Sequence, residues 1–124
     1  DLCEPWVSRT VGVDPGLITA YTETSFAALD HPMLLIALGH KSPIEIGIDA
    51  GPNGSNLSGR LKDAQFQELT PASHFSFLGA CTRNAMEILK VDGEERLCDP
   101  VDTAIRASVH QKVIIFVSEI YRLK

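Results

Sequence analysis

The sequence predicts an α/β protein: a mixed sheet of about five strands with helices on its faces, folded as the single domain 1–124. In Pro43–Asp49, apolar residues alternate with polar or small ones, which is the period of a β-strand. A loop rich in Gly, Pro, Asn and Ser follows, and then a helical pattern begins near Asn56 or Ser58. Such alternation of strand and helix patterns is typical of α/β folds.

The first third of the chain contains an earlier strand. Arg9–Asp14 alternates apolar and small or polar residues, and Asp14-Pro15-Gly16 ends it as a turn. Leu17–Thr24 is rich in strand-forming residues and is predicted to return antiparallel. Ser25–Leu29 fits either a third short strand or the start of a helix.

The middle of the chain is predicted from its Pro and Gly positions. Pro32 fits the first turn of a helix over Met33–Ala37 that stops at Gly39. A second helix begins near Asn56 and continues to Leu69, before Thr70-Pro71. His74–Leu78, with its aromatic residues on one side, is predicted to be a strand.

The last third is predicted to be helical. Thr82 can cap a helix that turns Ala85, Ile88 and Leu89 inward, and Asp92-Gly93 ends it. Asp99-Pro100 begins a helical stripe that continues to the end of the chain. Val113–Val117 also suits a buried strand, but the stripe extends past both ends of that run, which favours one long helix.

Charge and cysteine content limit the function classes. A net charge of −5 argues against a broad basic surface for nucleic acid, although a nuclease that meets its substrate through metal ions is compatible with it. The longest apolar run, Met33–Leu38, is too short to span a bilayer, so we expect no membrane association.

The cysteines and two glycosylation sequons leave the compartment open. Cys3, Cys81 and Cys98 have no metal-binding spacing; they are either free thiols in a reducing compartment or one disulfide with a spare thiol in a secreted chain. The sequons that start at Asn53 and Asn56 fit the second alternative. We expect a cytoplasmic protein, with secretion as the alternative.

Four carboxylates stand at predicted ends of elements. Asp14 and Asp49 each end a strand, while Asp99 and Asp102 lie three residues apart at the start of the last helix. Carboxylates are ligands for hard cations such as Mg²⁺, and two such ions can stabilise the attacking and leaving oxygens of phosphodiester cleavage. The same residues can also be explained without any site. Capping accounts for Asp99 and the helix dipole for Asp102, while Asp14 fits a turn and Asp49 a strand end. Both interpretations therefore stay open.

Three segments resemble known nucleases. The motif R-T-V-G-V-D-P-G at Arg9–Gly16 resembles the opening strand of RuvC-type Holliday-junction resolvases, in the ribonuclease H-like superfamily. The motif C-D-P-V-D-T-A-I-R-A at Cys98–Ala107 resembles the start of their final helix, and Pro43–Leu69 is similar to the YqgF branch of the superfamily. The resemblance implies a ribonuclease H-like fold and metal binding by Asp14, Asp99 and Asp102.

The leading hypothesis is therefore a nuclease, dependent on Mg²⁺ or Mn²⁺, that hydrolyses phosphodiester bonds of structured nucleic acid. Its predicted catalytic and metal-binding residues are Asp14, Asp49, Asp99 and Asp102, and Arg60 and Lys62 are predicted to contact the phosphate backbone. The alternative is a non-catalytic binding or assembly module, secreted and glycosylated, in which the carboxylates are caps. The sequence leaves the oligomeric state open, including a homo-oligomer.

Overall fold

The computed structural model describes residues 7–16, 20–39, 50–93, 98 and 103–122, with side chains of the last segment described through 119. The strand predicted at 43–49 and the helix start predicted at 99–102 lie outside the described residues. The statements below concern the described part of the chain.

The described strands form one parallel sheet. Strands β1 (Thr10–Val13), β2 (Met33–Leu38) and β3 (Ala64–Leu69) lie in the order β1-β2-β3. Thr10 is opposite Met33, and Met33 is opposite Ala64. Parallel strands with intervening helices confirm the α/β class. The described sheet has three strands where the sequence predicted about five, and every described pairing is parallel.

The central strand corrects one prediction. Met33–Leu38 was predicted to be mostly helical, but it is β2, and its last five residues are buried. A strand that is covered on both faces reads as a continuous apolar run, so the alternation that marks a strand is lost. The run is short enough for a strand, and it pairs with both neighbouring strands, so a strand is favoured over a helix.

The described residues also form four α-helices and one 3-10 helix. They are α1 (Glu23–Ala27), α2 (Leu57–Arg60), the 3-10 helix (His74–Phe77), α3 (Arg83–Asp92) and α4 (Thr103–Arg122). The single long α4 is confirmed across the run that also suited a strand. The start of α3 is confirmed too, because the Thr82 hydroxyl accepts a hydrogen bond from the amide of Ala85 at 3.2 Å.

Two other helix and strand predictions were wrong. The helix predicted to reach Leu69 stops at Arg60, and β3 begins at Ala64, because pairing with β2 outweighs the local helical pattern. His74–Leu78 is no strand; its first four residues form the 3-10 helix. The Ser73 hydroxyl accepts from the amide of Phe75, and this cap favours a helical turn.

The segment before β2 also differs from its prediction. Leu17–Thr19 lie outside the described residues, but the predicted return strand does not extend to Thr24. Helix α1 begins at Glu23, since the Thr22 side chain accepts from the amide of Ser25. Of the two alternatives for Ser25–Leu29, the helical one is confirmed as far as Ala27, where α1 ends.

Each face of the sheet has its own core cluster. Leu35 of β2 packs with Phe26 of α1 and with Leu57 and Leu61, from α2 and its end. On the opposite face, the strand's other side chains pack with Val109 and Phe116 of α4. The described elements thus form three layers, with α1 and α2 on one face and α4 on the other.

Helix α3 lies outside both clusters. None of its residues is buried, and Ile88, which was predicted to point inward, is 63% exposed. A disulfide joins Cys81, just before α3, to Cys98. Of the two alternatives left open by the sequence, the one with a disulfide fits these two cysteines; Cys3 lies outside the described residues.

Candidate active site

The candidate site lies at the carboxyl end of β1, which is the edge where parallel α/β sheets place ligands. Asp14 directly follows this strand, with a φ of 48°. Aspartate is among the residues that adopt this left-handed conformation more readily. The amide of Asp14 donates to the carbonyl of Ile36 at 2.7 Å, which holds the turn against β2. The carboxylate of Asp14 therefore lies at the edge of the sheet, where the backbone turns out of β1.

The carboxylate of Asp14 is buried and hydrogen-bonded through both oxygens. Its side chain is 2% exposed. Oδ1 accepts from the amide of Leu38 at 3.2 Å, at the end of β2. Oδ2 lies 2.7 Å from Nδ1 of His74. The side chain thus bridges the ends of β1 and β2 and reaches the segment that follows β3.

His74 is held by the 3-10 helix that it begins. The amide of Ser73 donates to the Ser76 hydroxyl at 2.8 Å, while the Ser73 hydroxyl caps the first turn. Ser76 is fully buried, so this reciprocal cap is shielded from water. The imidazole of His74 packs edge-on against Phe75, with ring centroids 5.3 Å apart. Its side chain remains 52% exposed, so one side of the ring faces solvent.

Helix α4 fixes the other end of the same turn. The guanidinium of Arg106, a buried residue, donates to the carbonyl of Leu78 at 2.9 Å and to that of Phe75 at 3.4 Å. Nε2 of His110 donates to the carbonyl of Phe77 at 2.8 Å, because a carbonyl oxygen can only accept. These bonds satisfy carbonyls at the end of the 3-10 helix and connect it to α4. His74 therefore projects from a turn that is held at both ends.

The Asp14–His74 pair has a defined chemical capability. A carboxylate accepts a hydrogen bond from Nδ1–H, which selects the imidazole tautomer with its lone pair on Nε2. An imidazole in that tautomer can take a proton from water or from a hydroxyl group. The same carboxylate stabilises the imidazolium that forms, as in triads that pair histidine with aspartate.

Comparison with known proteins adds no identification. No family model, no curated protein and no solved structure matches the chain. Among the described helices, none combines the length and the apolar content that a membrane crossing needs. The functional argument therefore depends on the residues and their geometry.

Of the four predicted metal ligands, one is described. Asp14 lies at the end of β1, as predicted, while Asp49, Asp99 and Asp102 lie outside the described residues. Within the described segments, no group of three or more His, Cys, Asp or Glu residues is placed to hold a metal ion. The convergence of the four carboxylates stays a prediction.

The two predicted phosphate contacts differ in their surroundings. The guanidinium of Arg60 forms an ion pair with Glu23 at 2.7 Å and lies over the ring of Phe26, 4.2 Å from its centroid. These contacts connect α2 to α1, and a phosphate would compete with Glu23 for the same cation. Lys62 is exposed.

His74 is the site residue that the sequence analysis missed. It was one of four scattered histidines without metal-binding spacing. Ser73 is of a residue type that is preferred at helix N-caps, and this is the signal that could have indicated a capped turn at His74. Its partner Asp14 is sixty positions earlier in the sequence, and no local pattern connects the two residues.

Proposed function

We propose that the chain is a hydrolase in which His74, oriented by Asp14, takes a proton from the attacking water. The contact of 2.7 Å between Nδ1 of His74 and the buried carboxylate of Asp14 carries this proposal. The half-exposed ring is accessible to water, and the carboxylate keeps the lone pair on Nε2. The position at the carboxyl edge of a parallel sheet is where α/β enzymes bind substrates.

The substrate class that we propose is a phosphodiester, with structured nucleic acid as the leading candidate, from the resemblance to ribonuclease H-like nucleases. The ribonuclease H-like arrangement, with a mixed sheet of about five strands, belongs to the same proposal. Mg²⁺ or Mn²⁺ would neutralise charge on the phosphate. Asp14 can contribute to such a site, but its two oxygens already accept hydrogen bonds, and Asp49, Asp99 and Asp102 would have to supply the other ligands. The described residues alone do not form a metal site, so no catalytic step is assigned to a metal.

Hydrolysis of bis(4-nitrophenyl) phosphate, followed by the absorbance of 4-nitrophenol with and without Mn²⁺, tests the proposal. His74→Gln removes the base, and we expect kcat/KM to fall by roughly 10²- to 10⁴-fold. His110→Gln is the matched control, because this exposed histidine lies at the other end of the 3-10 helix, and a glutamine amide can still donate to the carbonyl of Phe77. The hydrolase proposal fails if the parent cleaves no phosphodiester probe, or if both variants keep the parent's rate.

Asp14→Asn tests the role of the carboxylate separately. The asparagine can still accept from the amide of Leu38, but its NH₂ would donate to Nδ1 of His74 and move the imidazole proton to Nε2. We expect ¹⁵N chemical shifts to report an Nδ1–H tautomer in the parent and an Nε2–H tautomer in the variant, with a loss of hydrolysis. The same tautomer in both proteins would contradict the assigned orientation.

Metal dependence has its own measurement. Thermal unfolding of the parent in EDTA and then in Mn²⁺ should show stabilisation of about 2.7 kcal/mol when the metal is at about 100 times its dissociation constant. Asp14→Asn should reduce that shift. An unchanged unfolding temperature in the parent would remove the metal from the proposal and leave the Asp14–His74 pair.

The second candidate function is a non-catalytic module in a secreted protein, and the disulfide between Cys81 and Cys98 favours it. Asn53 and Asn56, the acceptors of the two sequons, are both exposed. Intact-mass analysis of the protein isolated from its natural source distinguishes the candidates. A glycan mass with no hydrolytic activity favours the module, whereas activity that depends on His74 favours the hydrolase.

A further inference from the structure

The space between α1, α2 and the sheet is large enough to be a ligand site. It measures about 680 Å³ and is partly open to solvent. Binding sites for small molecules usually enclose about 300 to 1,000 Å³. Its lining includes Gly12 and Pro15 on one side and Leu57 and Leu61 on the other, so it continues from the end of β1 to α2.

The walls of this cavity are largely apolar. Phe26, Leu29, Met33 and Leu35 line it, and none of the described lining residues carries a formal charge. A charged ligand would lose hydration there without gaining an opposite charge from these residues. The described part of the lining therefore favours an uncharged molecule.

Hydroxyl groups and an aromatic pair complete the lining. Thr10, Tyr21 and Ser25 are hydroxyl-bearing lining residues. The hydroxyl of Thr10 pairs with Nε2 of His31 at 2.7 Å and that of Ser25 with the Thr22 hydroxyl at 3.0 Å. The rings of Tyr21 and Phe26 lie with centroids 6.0 Å apart and a tilt of 49°, and Tyr21 is 47% exposed. This arrangement presents aromatic surface near solvent with polar atoms close by, which suits a planar ring that carries a polar group.

Gly12, which has no side chain, lies in the wall of the cavity. A Cβ atom at this position would lie 3.2 Å from Cδ2 of Leu35 and 3.5 Å from Cγ of Pro15. An added Cβ would therefore press on Leu35, while its contact with Pro15 would be of ordinary length.

We infer that this cavity binds a small, uncharged, ring-containing molecule with one polar group. The inference does not depend on the proposed hydrolase, because neither Asp14 nor His74 is among the described lining residues and the test measures binding alone. Fluorescence titration and calorimetry with 2-naphthol, a planar apolar probe with one hydroxyl, test it. 2-Naphthoate, which has the same rings and a negative charge at neutral pH, is the matched ligand control.

Two neighbouring alanines at the end of α1 provide a cavity variant and its control. Both alanines are exposed, but Ala28 lines the cavity and Ala27 does not belong to the described lining. We expect saturable 1:1 binding of 2-naphthol by the parent, a loss of roughly tenfold or more in affinity in Ala28→Trp, and parent-like affinity in Ala27→Trp. If Ala28→Trp fails to fold, Tyr21→Ala replaces it, and a severalfold weaker affinity supports the site.

Three results would overturn the inference. They are no saturable binding of 2-naphthol by the parent, equal affinities in the cavity variant and its control, and binding of 2-naphthoate as tight as that of 2-naphthol. For Tyr21→Ala, an affinity equal to that of the parent would do the same.

Discussion

The disulfide between Cys81 and Cys98 leads to a quantitative prediction about stability. The two cysteines are 17 positions apart, and the bridge ties the start of α3 to the segment before α4. Closing a loop of this length lowers the entropy of the unfolded chain, which corresponds to about 3 kcal/mol of stabilisation at 25 °C. In a domain of this size, that change moves the unfolding midpoint by about 10 °C.

The perturbation is the double variant Cys81→Ser and Cys98→Ser, compared with the oxidised parent. Urea unfolding followed by circular dichroism gives the free energies of unfolding, and calorimetry gives the midpoints. Cys3→Ser is the control for the removal of a thiol, because it leaves the bridge between Cys81 and Cys98 intact. Thiol titration of the unfolded parent should find one reactive thiol before reduction and three after it.

Two results would refute this reasoning. Three reactive thiols in protein that was folded under oxidising conditions would mean that the bridge does not form. Equal stability of the double-serine variant and the oxidised parent, with one reactive thiol in the parent, would mean that the bridge forms but does not restrict the unfolded chain as the loop-closure argument requires.

Two further predictions concern packing, and urea unfolding checks both. Gly39→Ala should destabilise the protein by about 2 kcal/mol or more, because Gly39 has a φ of 70° and an added Cβ would overlap the backbone of the segment after β3. Gly79→Ala is the control, because a Cβ added there would meet no atom within 4 Å. An equal effect at both glycines would contradict the assigned geometry. Val109→Ala should cost about 2 kcal/mol, since Val109 is fully buried in the core between α4 and the sheet. Val91→Ala, at a position that is 86% exposed on α3, should change stability by less than about 0.5 kcal/mol, and a cost at Val91 similar to that at Val109 would show that the helix faces are misassigned.

The parts of the fold that the sequence predicted are those whose local pattern agrees with their tertiary surroundings. Val11 and Val13 of β1 alternate with Thr10 and Gly12, and these two valines pack against the core cluster that contains α4. Helix α4 keeps one stripe against the sheet, and Val109 and Phe116 of that stripe are buried. In both elements, the period of the apolar residues matches the contacts that the element makes.

The elements that were missed are those whose pattern depends on neighbours distant in sequence. Met33–Leu38 has no period because both of its faces are covered, and Ala64–Leu69 is a strand because it pairs with β2. The candidate site shows the same limit. The position of Asp14 could be predicted from the end of its strand, but its pairing with His74 depends on the return of the chain after β3. Only the assembled sheet brings those two side chains together.

The burial of β2 on both faces has a consequence for local opening of the native protein. Leu35 contributes to one core cluster, while Leu34, Ile36 and Leu38 contribute to the other. Detaching the helices from one face would leave this strand packed on the opposite face and hydrogen-bonded to β1 and β3. Its backbone amides should therefore exchange with deuterium mainly through global unfolding, whereas the amides of α3, a helix without a buried residue, should exchange through local fraying.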